Sequence, residues 1–146
     1  MTSRQEKYKD TPHFHFYNAN PKGRFTTDCV IRAISTATEI PYEQVVMELA
    51  EQQCRTGYDP SENKAVELYL TSKGWERHKQ LRKPADNKKY TGWEFCSALK
   101  TVSVLKPYKR IVANIGGNHT VAIIDGKVWD IWDSTGGCVG IWYTKE

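Results

Sequence analysis

The dipeptide Asp125-Gly126 constrains this chain more than any other feature, because short runs rich in β-branched residues flank it on both sides. His119-Thr120-Val121-Ala122-Ile123-Ile124 precedes it, and Val128-Trp129-Asp130-Ile131-Trp132 follows. Asp-Gly takes the positive φ angles that a tight hairpin turn requires, so the sequence predicts two antiparallel strands. Side chains alternate between the faces of a strand, and loop length therefore decides which residues meet across the hairpin. A two-residue loop places Asp130 on the face of His119. A three-residue loop, Ile124-Asp125-Gly126 with a glycine bulge, places Asp133 there instead. Tyr108 to Ile115 predicts a strand before Gly116-Gly117-Asn118, and Val139 to Tyr143 predicts a last one after Gly136-Gly137.

Upstream of this sheet the apolar period lengthens to that of helices. Val30, Ile31, Ala33, Ile34 and Ala37 recur at helical spacing behind Asp28, whose carboxylate is a suitable N-cap, and predict a buried helix from Asp28 to about Thr38. Pro41 suits the first turn of a second helix, which Gly57 stops. Ser61 is positioned to cap a third, ended by Gly74, and Thr91 a short fourth running to Leu99. Trp75 to Tyr90 reads as a short strand and a loop. Met1 to Thr27 lacks helical periodicity and carries the turn formers Pro12, Asn18, Asn20, Pro21 and Gly23, so it reads as an extended N-terminal arm. Helices first and antiparallel strands second make an α+β class. With 146 residues, no internal repeat and no linker, the reading is one domain spanning 1–146.

Composition narrows the function. The four cysteines, Cys29, Cys54, Cys96 and Cys138, lack the paired spacing of a zinc site. The polar start of the chain has no apolar signal core, and reduced thiols in a cytoplasmic setting are expected. No apolar run approaches the roughly 20 residues that cross a bilayer. The formal charge of +4 is spread over the chain, and the basic segment Lys79 to Lys89 reads as a solvated edge, leaving nucleic-acid binding as a minor alternative. His13 and His15 share a strand face but have no third ligand nearby, so no metal or other cofactor is expected.

Cys29 falls in the first turn of the first helix, where the partial positive charge of the helix terminus favours a thiolate. His119, after a glycine pair and at the start of a strand, is placed to share its proton, with Asp130 or Asp133 to orient the ring. Asp28-Cys29 opening a helix, Gly117-Asn118-His119-Thr120-Val121 opening a hairpin, and Trp132-Asp133-Ser134 after it resemble the papain-like cysteine peptidase fold. The closest forms are the short ones similar to bacteriocin-processing peptidases and to small proteins of that fold encoded by phages and prophages. The resemblance covers residues from about Asn18 to Tyr143. It implies N-terminal helices packed on a C-terminal antiparallel sheet, with Cys29, His119 and Asp133 as catalytic residues. Papain-like peptidases commonly carry a glutamine shortly before the cysteine to bind the oxyanion. None stands near Gly23-Arg24 here, so Asn18 or Asn20 is expected to supply the amide beside the Cys29 backbone N–H.

The function so implied is a cysteine-dependent hydrolase or acyl transferase, a thiol peptidase or isopeptidase acting on a protein or peptide through a thioester. The competing reading is a catalytically silent protein of the same fold that binds a host or partner protein through Trp129, Trp132 or Trp142. Oligomeric state is left open.

Overall fold

The computed structural model describes residues 2–145. These form five helices and six strands: α1 (Ser3–Lys7), β1 (Phe14–Phe16), α2 (Cys29–Thr38), α3 (Tyr42–Thr56), α4 (Asn63–Ser72), β2 (Glu76–His78), α5 (Gly92–Ala98), β3 (Arg110–Ile115), β4 (His119–Ile124), β5 (Lys127–Asp130) and β6 (Val139–Thr144). All six strands join one sheet in the order β1-β5-β4-β3-β6-β2. The class is α+β, with most helices in the N-terminal half.

The sheet is mixed, where a purely antiparallel one was expected. Residues 2–27 are not simply an extended arm. Thr2 and Gln5 form a capping box that starts α1, and Phe14–Phe16 then adds a strand parallel to β5. Arg4 Nε donates to the Ile131 carbonyl at 2.8 Å, and the Tyr17 N–H donates to the Asp130 carbonyl at 2.9 Å. The arm therefore pins the end of β5.

Asp125-Gly126 makes a two-residue turn. Ile124 pairs with Lys127, and φ is 49° at Asp125 and 76° at Gly126, as a primed hairpin turn demands. The register follows from it. Ala122 and Ile124 of β4 face one side of the sheet with Val112 and Tyr143, while Val121 and Ile123 face the other with Ile111 and Ala113. Both faces are covered, which is why these strands read as almost continuous apolar runs.

On the first face lie α2, α3 and α4, whose Val30, Ile34, Val45, Leu49 and Leu70 bury against the sheet. On the second, α5 sets Phe95 and Cys96, both 0% exposed, against Ile115, Val128 and Trp142. Helix α5 starts as expected, with a Thr91–Glu94 capping box. Its first residue, Gly92, approaches so closely that a Cβ there would lie 2.7 Å from Ile115 Cδ1 and 3.0 Å from the Thr135 backbone. Helix α3 ends at Gly57, with φ of 81°. The N-cap of α4 is Glu62, with Ser61 bonded to Asp59 instead.

Candidate active site

Cys29 is the first residue of α2, at the seam where that helix meets the start of β4. The first intrahelical bond runs from the Arg32 N–H to the Asp28 carbonyl, so the N–H groups of Cys29, Val30 and Ile31 precede the helical ladder. The Asp28 carboxylate does not cap them, contrary to the sequence expectation. It turns away to accept from Arg32 Nε at 2.7 Å, the Tyr42 hydroxyl at 2.5 Å and Asn20 Nδ2 at 3.1 Å. Burial works against ionisation of Asp28, yet these donors hold its carboxyl below the usual range.

His119 opens β4 across the seam. Its Nε2 bonds Asp130 Oδ2 at 2.5 Å, which leaves Nδ1 as the ring nitrogen for the sulfur. The ring of Trp132 lies over the imidazole with centroids 4.8 Å apart. Burial pushes the Cys29 thiol up. Hydrogen bonding with His119, the Thr120 backbone N–H and the positive charges of His119 and Arg32 outweigh it and hold the thiol below its ordinary value. Burial likewise pushes the imidazole down, but bonding to Asp130 and Cys29 and their negative charges raise it to about 9. Both shifts run in the direction of a thiolate–imidazolium pair.

The carboxylate at the imidazole is Asp130, not Asp133. The two-residue turn sets it there: Asp130 falls at the end of β5 on the parity of His119, while Asp133 lies beyond the strand. Asp133 Oδ1 instead accepts from the Thr135 N–H at 3.0 Å and the Thr135 hydroxyl at 2.6 Å, shaping the turn that leads to β6. The two asparagines expected as oxyanion donors are also otherwise engaged. Asn18 Nδ2 donates to the Arg24 carbonyl, and the Asn20 amide donates to Asp28 and Tyr42. Of the residues picked out in the sequence, the structure thus unites Cys29, His119 and Asp130, the alternative orienting carboxylate, and engages Asn18, Asn20 and Asp133 elsewhere.

Arg32, buried at 6% exposure, was missed. Its signal was present, since a charged residue amid the apolar positions of a buried helix needs a partner, and Asp28 stands four residues before it. Thr120 was missed because its contribution is a backbone N–H. It also lines a pocket of about 210 Å³ together with Val66, Val112, Asn114, Ile141 and Tyr143. A wider cleft of about 440 Å³ sits over the C-terminal half of α2, between Glu39, Arg110 and Trp129, away from the sulfur.

The remaining sequence candidates resolve as packing. His13 Nδ1 meets the Gly126 carbonyl and His15 Nδ1 meets Asp10. Among the described residues no group of three or more His, Cys, Asp or Glu could hold a metal ion, and no helix is long and apolar enough to cross a membrane. Trp142 is 2% exposed and belongs to the core, which removes it from any surface patch with Trp129 and Trp132. Comparison with protein-family models, with curated proteins and with solved structures returns no match.

Proposed function

We propose that this protein is a cysteine-dependent hydrolase or acyl transferase of papain-like type, acting on an amide or isopeptide bond of a protein or peptide. The observation that carries the reading is the helix-terminal Cys29 beside His119, whose Nε2 is bonded to the buried Asp130. A helix terminus alone would be unremarkable. A helix-terminal thiol with a base and an orienting carboxylate is the arrangement of an activated nucleophile.

The Cys29 thiolate attacks the carbonyl carbon, and the carbonyl electron pair moves to oxygen. The N–H of Cys29, which no side chain caps, is the donor available to that oxyanion. The intermediate collapses to a thioester as the C–N bond breaks. His119 gives its proton to the leaving amine. Neutral His119 then takes a proton from water, whose oxygen attacks the thioester, releasing the acid and regenerating the thiolate–imidazolium pair. A protein amine in place of water gives acyl transfer. Asp130 keeps the ring oriented and its charged form stabilised throughout.

Iodoacetamide labelling at mildly acidic pH, with adducts located by mass spectrometry, tests the nucleophile. Cys29 should label at least about tenfold faster than the exposed Cys54 and Cys138. Equal rates would remove the reading. p-Nitrophenyl acetate tests the acyl step: a burst of one nitrophenolate per chain is expected, and Cys29→Ala should abolish it.

A further inference from the structure

We infer that Arg32 is a positioning residue of this site: one guanidinium ties the helix start that carries Cys29 to the strand end that orients His119. The inference rests on the proposed cysteine chemistry and gives that site a part that the resemblance to papain-like peptidases did not supply.

The geometry divides the two oxygens of Asp130 between separate tasks. Oδ1 accepts from Arg32 Nη1 at 2.6 Å and from the Ile131 N–H at 2.7 Å. Oδ2 accepts from His119 Nε2. With Oδ1 filled by two donors, the carboxylate cannot rotate, and a single oxygen in a single orientation is left for the imidazole. Arg32 reaches the other way as well. Its Nε donates to Oδ1 of Asp28, the residue immediately before the nucleophile. Asp28 is in turn anchored by Tyr42 at the start of α3 and by Asn20 of the arm.

The polar groups facing one another at the seam therefore alternate in charge: Asp28 and Arg32 from α2, Asp130 from β5, His119 from β4 and Cys29 again from α2, with the neutral Tyr42 closing the far end. Arg32 and Asp130 have side chains only 7% and 2% exposed. Water screens such a pair little, and a planar fork bonds two carboxylates in fixed directions. A lysine ammonium keeps the charge but is a point donor that cannot hold both.

A purely structural ion pair would affect stability and leave the titration of the site unchanged. A positioning role makes a further demand. The Arg32 fork holds the Asp130 carboxylate against the imidazolium that balances the thiolate, and the Arg32 charge itself favours the thiolate, so losing the guanidinium weakens both supports. In Arg32→Gln, the acid limb of the Cys29 alkylation profile should then move to higher pH by about one unit or more. Its rate on that limb should fall about tenfold for each unit of displacement.

The experiment is iodoacetamide alkylation of Cys29 across pH in the full chain, for wild type, Arg32→Gln and Arg32→Lys, with folding checked by circular dichroism. The expected order of acid limbs is wild type lowest, Arg32→Lys intermediate and Arg32→Gln highest. A folded Arg32→Gln protein with the wild-type profile overturns the inference. Where Arg32→Gln does not fold, Arg32→Lys decides: a limb displaced upward supports the role, and a wild-type limb overturns it. If wild-type Cys29 labels no faster than Cys54 and Cys138, the cysteine reading itself has failed and this inference falls with it. A fast wild-type Cys29 with unmoved variants rejects the role of Arg32 alone.

Discussion

Cys29 and Cys96 both sit on helices packed against the same sheet, on opposite faces, and their thiols are driven in opposite directions. Burial raises both. At Cys96 the negative charge of Asp133 adds to burial, the Val128 backbone hydrogen bond offsets little, and the thiol is pushed up to about 12. At Cys29 the imidazole, a backbone N–H and the guanidinium reverse the outcome. A cysteine's burial says little about its reactivity. What decides is the sign of the charges that share its surroundings.

The two layers can be broken independently. His119→Ala should have the largest effect, lowering Cys29 alkylation near neutral pH on the order of 10²-fold, since the thiolate loses both its hydrogen-bond partner and its counter-ion; Cys96 should be unaffected. Phe95→Ala breaks the other layer. Removing a fully buried ring from α5 should cost about 3–5 kcal/mol in denaturant unfolding, raise labelling of Cys96 at alkaline pH and leave the Cys29 profile in place while the protein stays folded.

A smaller effect sharpens the account of the imidazole. Protonation of the leaving amine needs imidazolium, which is present below about 9, so amide turnover should fall as pH rises through that value. In Asp130→Asn the largest interaction raising the ring is weakened while burial still lowers it. The alkaline limb should then move down toward the ordinary histidine value of about 6.5. NMR titration of the imidazole checks this without a substrate.

Much of the fold was legible because local chemistry and burial agreed. Asp125-Gly126 fixes a hairpin whatever lies around it, and Thr91 and Gly57 mark helix ends through backbone bonds a few residues long. Cys29 and His119 were legible for a similar reason, each sitting at an element boundary that its neighbours define. The parallel pairing of Phe14–Phe16 with β5 was not legible, since it joins residues more than a hundred positions apart and an edge strand of three residues has almost no pattern. The choice of Asp130 turned on one residue of loop length. Two positive φ angles in succession settle that in the structure, but the sequence admits a bulge as well. Asp28 as a helix cap was the natural local expectation. It lost to Arg32, Tyr42 and Asn20, three donors that converge only when α2, α3 and the arm have come together.

The central claim is a thiolate at Cys29 in the resting protein at neutral pH. Far-ultraviolet thiolate absorbance, followed across pH for wild type and Cys29→Ser, reads it directly. The account predicts a difference of one thiolate per chain at pH 7 that persists well below the ordinary cysteine range of about 8.5. Coincident curves at neutral pH, with the thiolate of Cys29 appearing only in the alkaline range, would contradict it.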